Sequence, residues 1–190
     1  GGGMREYFEL MRNSTVQKLL ACEGLLGLAG GATSTLALFF FTRTKGLDAA
    51  DLGLLFIVHA VLGLTFTPLW SWLAIRVGKH RALGSASILY AVGQLAIMLA
   101  PAGNLLILLA CQGIIGVAYG AASLLPRAMI ADISDEERLR TGQERTGLLY
   151  ALLIGVWKIG QAVSVGIMFW ALAMFGFNPA PDAANTASAV

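Results

Sequence analysis

Charge is what this chain has least of. Asp, Glu, Lys and Arg make up 13% of its 190 residues, about half the ~25% of an ordinary soluble domain. Apolar residues reach 57% and the mean hydropathy is +0.73, so the scarcity of charge reads as an integral membrane protein surrounded by lipid. Cysteine is nearly absent as well. Cys22 and Cys111 both sit in apolar stretches and read as packing or lipid-facing residues, which argues against a disulfide or a metal site. A formal net charge of +2 with no basic run excludes nucleic acid as a partner. Residues 1–18 hold no short apolar core with a cleavage site, hence no signal peptide. There is no His-Glu-x-x-His zinc helix and no Gly-x-Ser-x-Gly elbow, so neither an enzyme nor a bound cofactor is expected. The chain opens Gly-Gly-Gly with its first methionine at Met4, which reads as a cut and not a natural start.

Long apolar runs are what the chain does have. Five spans are expected, at about 16–42, 52–75, 82–100, 105–125 and 147–177, in an all-α membrane fold. A polar segment, 1–15, precedes them, and Asn13-Ser14-Thr15 offers a helix cap. A Pro-, Ala- and Asn-rich tail, 178–190, follows and is expected to be exposed. Pro68 should kink the second span. The fourth span is expected to stop near Pro126, leaving a charged loop over 127–145. Alternate loops hold Arg5, Arg12 and Lys18, then Arg76, Lys79 and Arg81, then Arg127, Arg138, Arg140 and Arg145. The opposite side has only Arg43 and Lys45. The positive-inside rule then places the N-terminus in the cytoplasm and the tail outside a cell (inner) membrane.

One charge lies inside the last span. Lys158 is ten residues beyond Leu148, roughly 15 Å deep at ~1.5 Å per residue, close to the middle of a hydrocarbon layer ~30 Å thick. An ammonium there costs on the order of 3 kcal/mol or more unless paired or wetted. Lys158 is therefore either a functional residue facing a cavity or a sign that this stretch does not span. Gly147, Ala151, Gly155, Ala162 and Gly166 share its side of the helix, with Gln161 one turn on. Small residues at such spacings let helices approach closely.

The other intramembrane polar residues have two readings each. Glu23, Gly27, Gly30 and Ser34 fall on one face of the first span; Glu23 either lies in a solute pathway or pairs with Arg12 or Lys18 at the cytoplasmic end. His59 shares a face with Gly63 and Thr67, and is either a packed histidine or a proton relay. Gln112, Tyr119 and Ser123 line up on the fourth span, either as interhelical hydrogen-bonding groups or as cavity groups.

The charged loop carries a further signal. Ala131-Asp132-Ile133-x-Asp135, then Arg140-Thr141-Gly142-Gln143-x-Arg145-x-Gly147, then Lys158 on the next helix, resembles the glycoside–pentoside–hexuronide:cation symporter family. This family belongs to the major facilitator superfamily and includes the melibiose permeases. Arg76-Val77-Gly78-Lys79-His80-Arg81 resembles the cytoplasmic motif between helices eight and nine, although Ser71 and Ile75 stand where a glycine and an aspartate are usual, and Glu136 replaces a frequent tyrosine. The resemblance implies helices seven to eleven of a twelve-helix carrier, most of one six-helix half-bundle. The N-terminal half and a twelfth helix are missing on this reading, and that half is the chain's expected partner. It further implies symport of a sugar or glycoside with Na+ or H+ by alternating access. Lys158, Gln161, Tyr119, Gln112, His59 and Glu23 are then candidates for the solute and ion pathway. Arg76, Lys79, Arg81, Asp132, Asp135 and Arg145 are candidates for a cytoplasmic gating network, with Arg145 pairing with Asp132 or Asp135. The alternatives are a carrier of the same fold for a non-sugar solute, exported or lipid-like, and a non-transporting scaffold.

Overall fold

A computed structural model describes residues 10–176, which are almost wholly helical, with no strand among them. The expected tail at 178–190 and most of the segment 1–15 lie outside the described residues. Six helices follow one another: α1 (Ser14–Phe39), continued by a π-helical turn at Phe40–Thr44, α2 (Ala49–Thr65), α3 (Thr67–Val77), α4 (Lys79–Leu99), α5 (Leu105–Thr141) and α6 (Thr146–Met174). Helices α1, α4, α5 and α6 are each long and apolar enough to cross a membrane. Helices α2 and α3, bent by 42° at their junction, are together long and apolar enough for a fifth crossing.

Local chemistry sets the boundaries. Asn13, Asp48 and Asn104 each accept a backbone N–H of the following turn, from Thr15, Asp51 and Ile107, satisfying donors that a helix start leaves bare. The break between α2 and α3 falls at Phe66, two residues before Pro68. A proline inside a continuous helix lacks the N–H and crowds the carbonyl four residues back, so the expected kink is there.

Two expected loops are corrected. The stretch 76–81 is not a loop: Arg76 and Val77 end α3, Lys79–Arg81 open α4, and the corner is Gly78 alone, at φ 92°. Only glycine takes that backbone shape without strain. Nor does the fourth span stop at Pro126 before a loop at 127–145. Helix α5 passes through Pro126 and runs to Thr141. Its 37 residues measure roughly 55 Å, well beyond the ~30 Å of a hydrocarbon core. The reason is visible beyond Pro126: Met129, Ile130, Ile133, Ser134 and Glu137 are buried, a single helical stripe. Gly142 then ends the helix in the left-handed region, φ 70°, its N–H bonded to the Arg138 carbonyl at 2.9 Å.

The packing rests on two close helix pairs, α1 with α6 and α2 with α5, and α4 lies along α5. Glycine makes both close pairs possible. A Cβ on Gly160 would lie 2.5 Å from the Gly24 carbonyl oxygen, and one on Gly120 would lie 2.5 Å from that of Gly63. Backbones this close exclude any side chain, the pattern of helix association in lipid. The buried apolar side chains form two clusters. One gathers Leu10, Leu20, Trp70, Leu83, Leu125, Ile130 and Leu149 towards the Gly78 end. The other gathers Phe41, Leu55, Ile97, Leu108, Cys111 and Ile115 towards the Gly103 end.

Gly147, Gly155 and Gly166 behave differently: a Cβ on any of them meets nothing within 4 Å. This contrast yields a test on the purified chain in detergent. Gly120→Ala and Gly160→Ala should each lower stability by about 1–3 kcal/mol through overpacking. Gly155→Ala should leave it unchanged or raise it by up to ~1 kcal/mol through helix propensity. Thermal unfolding measures all three, and equal effects at the three positions contradict the packing.

Candidate functional site

Between the two apolar clusters α1, α4 and α5 stand apart around a cavity of about 320 Å3, with Trp157 of α6 beside it. Its walls are mostly small or apolar: Leu26, Ala29 and Gly30 from α1, Leu83, Ala86 and Ala91 from α4, Ala118 and Ala122 from α5. The polar groups are few. Glu23 comes from α1, Ser87 and Tyr90 from α4, and Tyr119, Ser123 and Arg127 from α5.

Glu23 is the unusual member. Its residue is 8% exposed, and its Oε2 has no hydrogen-bond partner among the described residues. Arg127 acts on the carboxylate electrostatically from across the cavity. The Arg127 guanidinium itself donates to the Ser123 carbonyl one turn back, and its own carbonyl accepts the Tyr150 hydroxyl at 3.0 Å. A buried carboxylate without a full set of donors costs several kcal/mol, and such groups inside a membrane protein mark solute or ion pathways. The face expected to group Glu23 with Gly27 and Gly30 is divided. Glu23 and Gly30 line the cavity, whereas Gly27 presses on the Trp157 backbone.

The remaining pathway candidates take different places. Tyr119 lines the cavity and stands 5.4 Å, ring to ring, from His59. Gln112 Nε2 lies 3.5 Å from His59 Nδ1. Those three residues of α2 and α5 form one polar cluster at the cavity's edge. Gln161 is half-buried, its backbone 2.9 Å from where a Gly31 Cβ would sit. Lys158 does not line the cavity. It is exposed and makes no ion pair or hydrogen bond among the described residues. It lies roughly 140° around α6, at ~100° per residue, from Leu153 on the side packed against α1.

At the Gly78 end the charged candidates separate too. Lys79 Nζ reaches Asp132 Oδ2 at 2.5 Å and the Ala128 carbonyl at 3.1 Å, joining α4 to the extension of α5. Arg145 faces Glu137 at 3.9 Å, and Arg140 holds the same carboxylate at 2.8 Å. Glu137 is 5% exposed, so a buried acid beside Arg145 joins the network that was expected to pair it with Asp132 or Asp135. Ser134 and Thr146 hydroxyls, 2.5 Å apart, tie the same extension to α6. Arg76 stacks on Trp72, 4.6 Å from the ring centroid. Arg81 and Asp135 are exposed and make no ion pair among the described residues.

Sequence reasoning missed Arg127, Tyr90, Ser87 and Trp157 as cavity residues and Glu137 as the buried acid. Helical phase could have pointed to Arg127, two turns on from Tyr119 and one from Ser123, both already candidates on that face. Nothing local marks Tyr90 or Ser87, because α4 meets α1 only through the fold. As a whole the site offers hydroxyls, two kinds of aromatic ring and a carboxylate with a guanidinium within an apolar wall. That is equipment for holding a small solute, without an arrangement for bond chemistry.

Comparison with known proteins agrees. The model of a family described as MFS/sugar transport protein matches residues 3–190. A sodium-dependent lysophosphatidylcholine symporter 1-A of Danio rerio is 28% identical over 133 residues, 69% of this chain and 24% of its own length. An uncharacterized symporter of Synechocystis is 25% identical over 150 residues, 79% of this chain and 28% of its own. An uncharacterized 29.9 kDa protein of Pseudescherichia vulneris is 25% identical over 192 residues, 92% of this chain and 70% of its own. No solved structure matches. The chain spans about a quarter of the length of the two symporters. With its helices, its cavity and the family match in agreement, this multi-pass membrane chain belongs to the MFS/sugar transport protein family, a family of transporters and not of enzymes.

Proposed function

We propose that the chain is most of the C-terminal bundle of a secondary active transporter that moves a small solute by alternating access, coupled to Na+ or H+. The observation that carries this reading is the buried, incompletely partnered Glu23 in a cavity between α1, α4 and α5. The symporters among its relatives support it. The bundle's partner is an N-terminal six-helix half of the same protein, in a cell membrane, with the Gly78 end cytoplasmic.

Lys158 serves this reading from outside the cavity. It lies on an exposed face shared with Gly147 and Gly155, which meet nothing, and with Ile154, Val165 and Phe169, which are exposed. A cation on that exposed face suits a second bundle bearing carboxylates better than acyl chains. The cargo is a sugar or glycoside on the family reading: Ser87, Ser123, Tyr90 and Tyr119 bring hydroxyls, and Trp157 brings a ring, to the cavity. A second reading, a lipid-like amphiphile, is favoured by the largely apolar wall and by the relative named for lysophosphatidylcholine.

The full-length transporter in liposomes tests both points together. Lys158→Ala should lower cation-driven accumulation at least about tenfold, as expected for removing a charge that couples to the partner half. Undiminished accumulation removes Lys158 from the mechanism. Competition by a disaccharide panel, and not by lysophospholipids, assigns the cargo to sugars; the reverse assigns it to amphiphiles.

The Lys79–Asp132 pair belongs to the cytoplasmic latch. Lys79→Ala or Asp132→Ala should speed opening at the Gly78 end, read as faster efflux down a gradient. The exchange Lys79→Asp with Asp132→Lys should bring the rate back towards the parent. If the exchange behaves like the single changes, the pair is not the latch.

A further inference from the structure

Lys45 is one of the two basic residues on the side opposite the basic loops, yet it is 5% exposed. Its ammonium donates to the carbonyls of Met98 at 2.9 Å and Ala100 at 2.6 Å. These belong to the last turn of α4, where helix geometry leaves carbonyls without partners and the helix dipole is negative. Pro101 follows at once and offers no N–H of its own. The Phe40 ring lies 5.1 Å from the same nitrogen, a cation–π contact. The backbone is engaged too, since the Lys45 carbonyl accepts the Gly103 N–H at 3.0 Å. A residue on the end of α1 thus closes the end of α4 and the turn leading to α5.

A second tie lies deeper. Thr33 Oγ1 on α1 meets the Tyr90 hydroxyl of α4 at 3.0 Å, and Gln94 Nε2 reaches the same oxygen at 3.3 Å. Between Lys45 and Thr33 the two helices are therefore joined by polar contacts. On the other side of Tyr90 they part around the cavity, where Glu23 and Gly30 face Leu83 and Ser87. The π-helical turn at Phe40–Thr44 brings Lys45 into this register. Such turns occur often at functional positions.

We propose that Lys45 is a pivot pin: it holds the Gly103 ends of α1 and α4 as one rigid unit, so that the two helices separate only towards the Gly78 end. The pin rests on the Lys45 contacts alone. Its part in a cycle of opening rests on the transport reading above.

Cys111 is a reporter for the pin itself. It is buried in the apolar cluster with Phe41, Ile97 and Ala100. In the full-length protein, with other cysteines changed to serine, Lys45→Met should raise the N-ethylmaleimide reaction rate at Cys111 by about tenfold or more, the factor expected for losing hydrogen bonds from a charged donor. A rate equal to the parent's overturns the pin, whatever the protein transports. Spin labels at Leu38 and Leu95, both exposed, test the pivot with Lys45 in place. One narrow distance, unchanged when solute and cation are added, is expected. A broad or shifting distance overturns it. A separate pair at Leu25 and Ile88, both exposed nearer the Gly78 end, reports whether the helices move at all. A constant distance there overturns the opening motion while leaving the Cys111 result to decide the pin.

Discussion

Backbone against backbone at glycine is the contact on which this bundle depends. In lipid every N–H and C=O must be satisfied within its own segment, which dictates helices. Helices in lipid have no hydrophobic force driving them together, so shape must do it. Gly24 with Gly160, and Gly63 with Gly116 and Gly120, supply that shape. They fix α1 to α6 and α2 to α5. The cavity is what remains where α1, α4 and α5 do not meet so closely.

The few charges then sort themselves by how each is neutralised. Lys45 caps a helix end, and Glu137 lies under two arginines. Both are structural solutions, and both sit near the ends of the bundle. Glu23 and Lys158 are not resolved in this way: one is buried and incompletely partnered, the other is exposed. On the proposed transport reading, these two unresolved charges are the ones that take part in the cycle.

Much of the scaffold was legible from sequence. Hydropathy gave the crossings and Pro68 gave the bend. The glycine spacing was right at Gly27 and Gly63, but Gly30, Gly147, Gly155 and Gly166 meet nothing, and on α6 the close approach is made at Gly160 instead. The sequence misled where a local signal competed with a longer one. Pro126 suggested a helix end, but a buried stripe from Met129 to Glu137 carries the helix on. Nothing local marks Lys45 as buried, because its partners are carbonyls more than fifty positions away. The site was half legible. Glu23 and Tyr119 stood out as polar residues in apolar runs. Tyr90 and Ser87 did not, since only the meeting of α1 with α4 gives them meaning. Lys158 was expected to face a cavity, and does not line the one between α1, α4 and α5.

The central claim is that the space beside Glu23 is part of a solute pathway and not a packing gap in lipid. Single cysteines at Ala122, on the cavity wall, and at Leu25, exposed on the outside of α1, measure this in the full-length protein in membranes. A membrane-impermeant thiol reagent should modify the cysteine at Ala122, more slowly when transported solute is present, and should not modify the one at Leu25. A cavity cysteine that stays unmodified, or reacts equally fast with and without solute, contradicts the account.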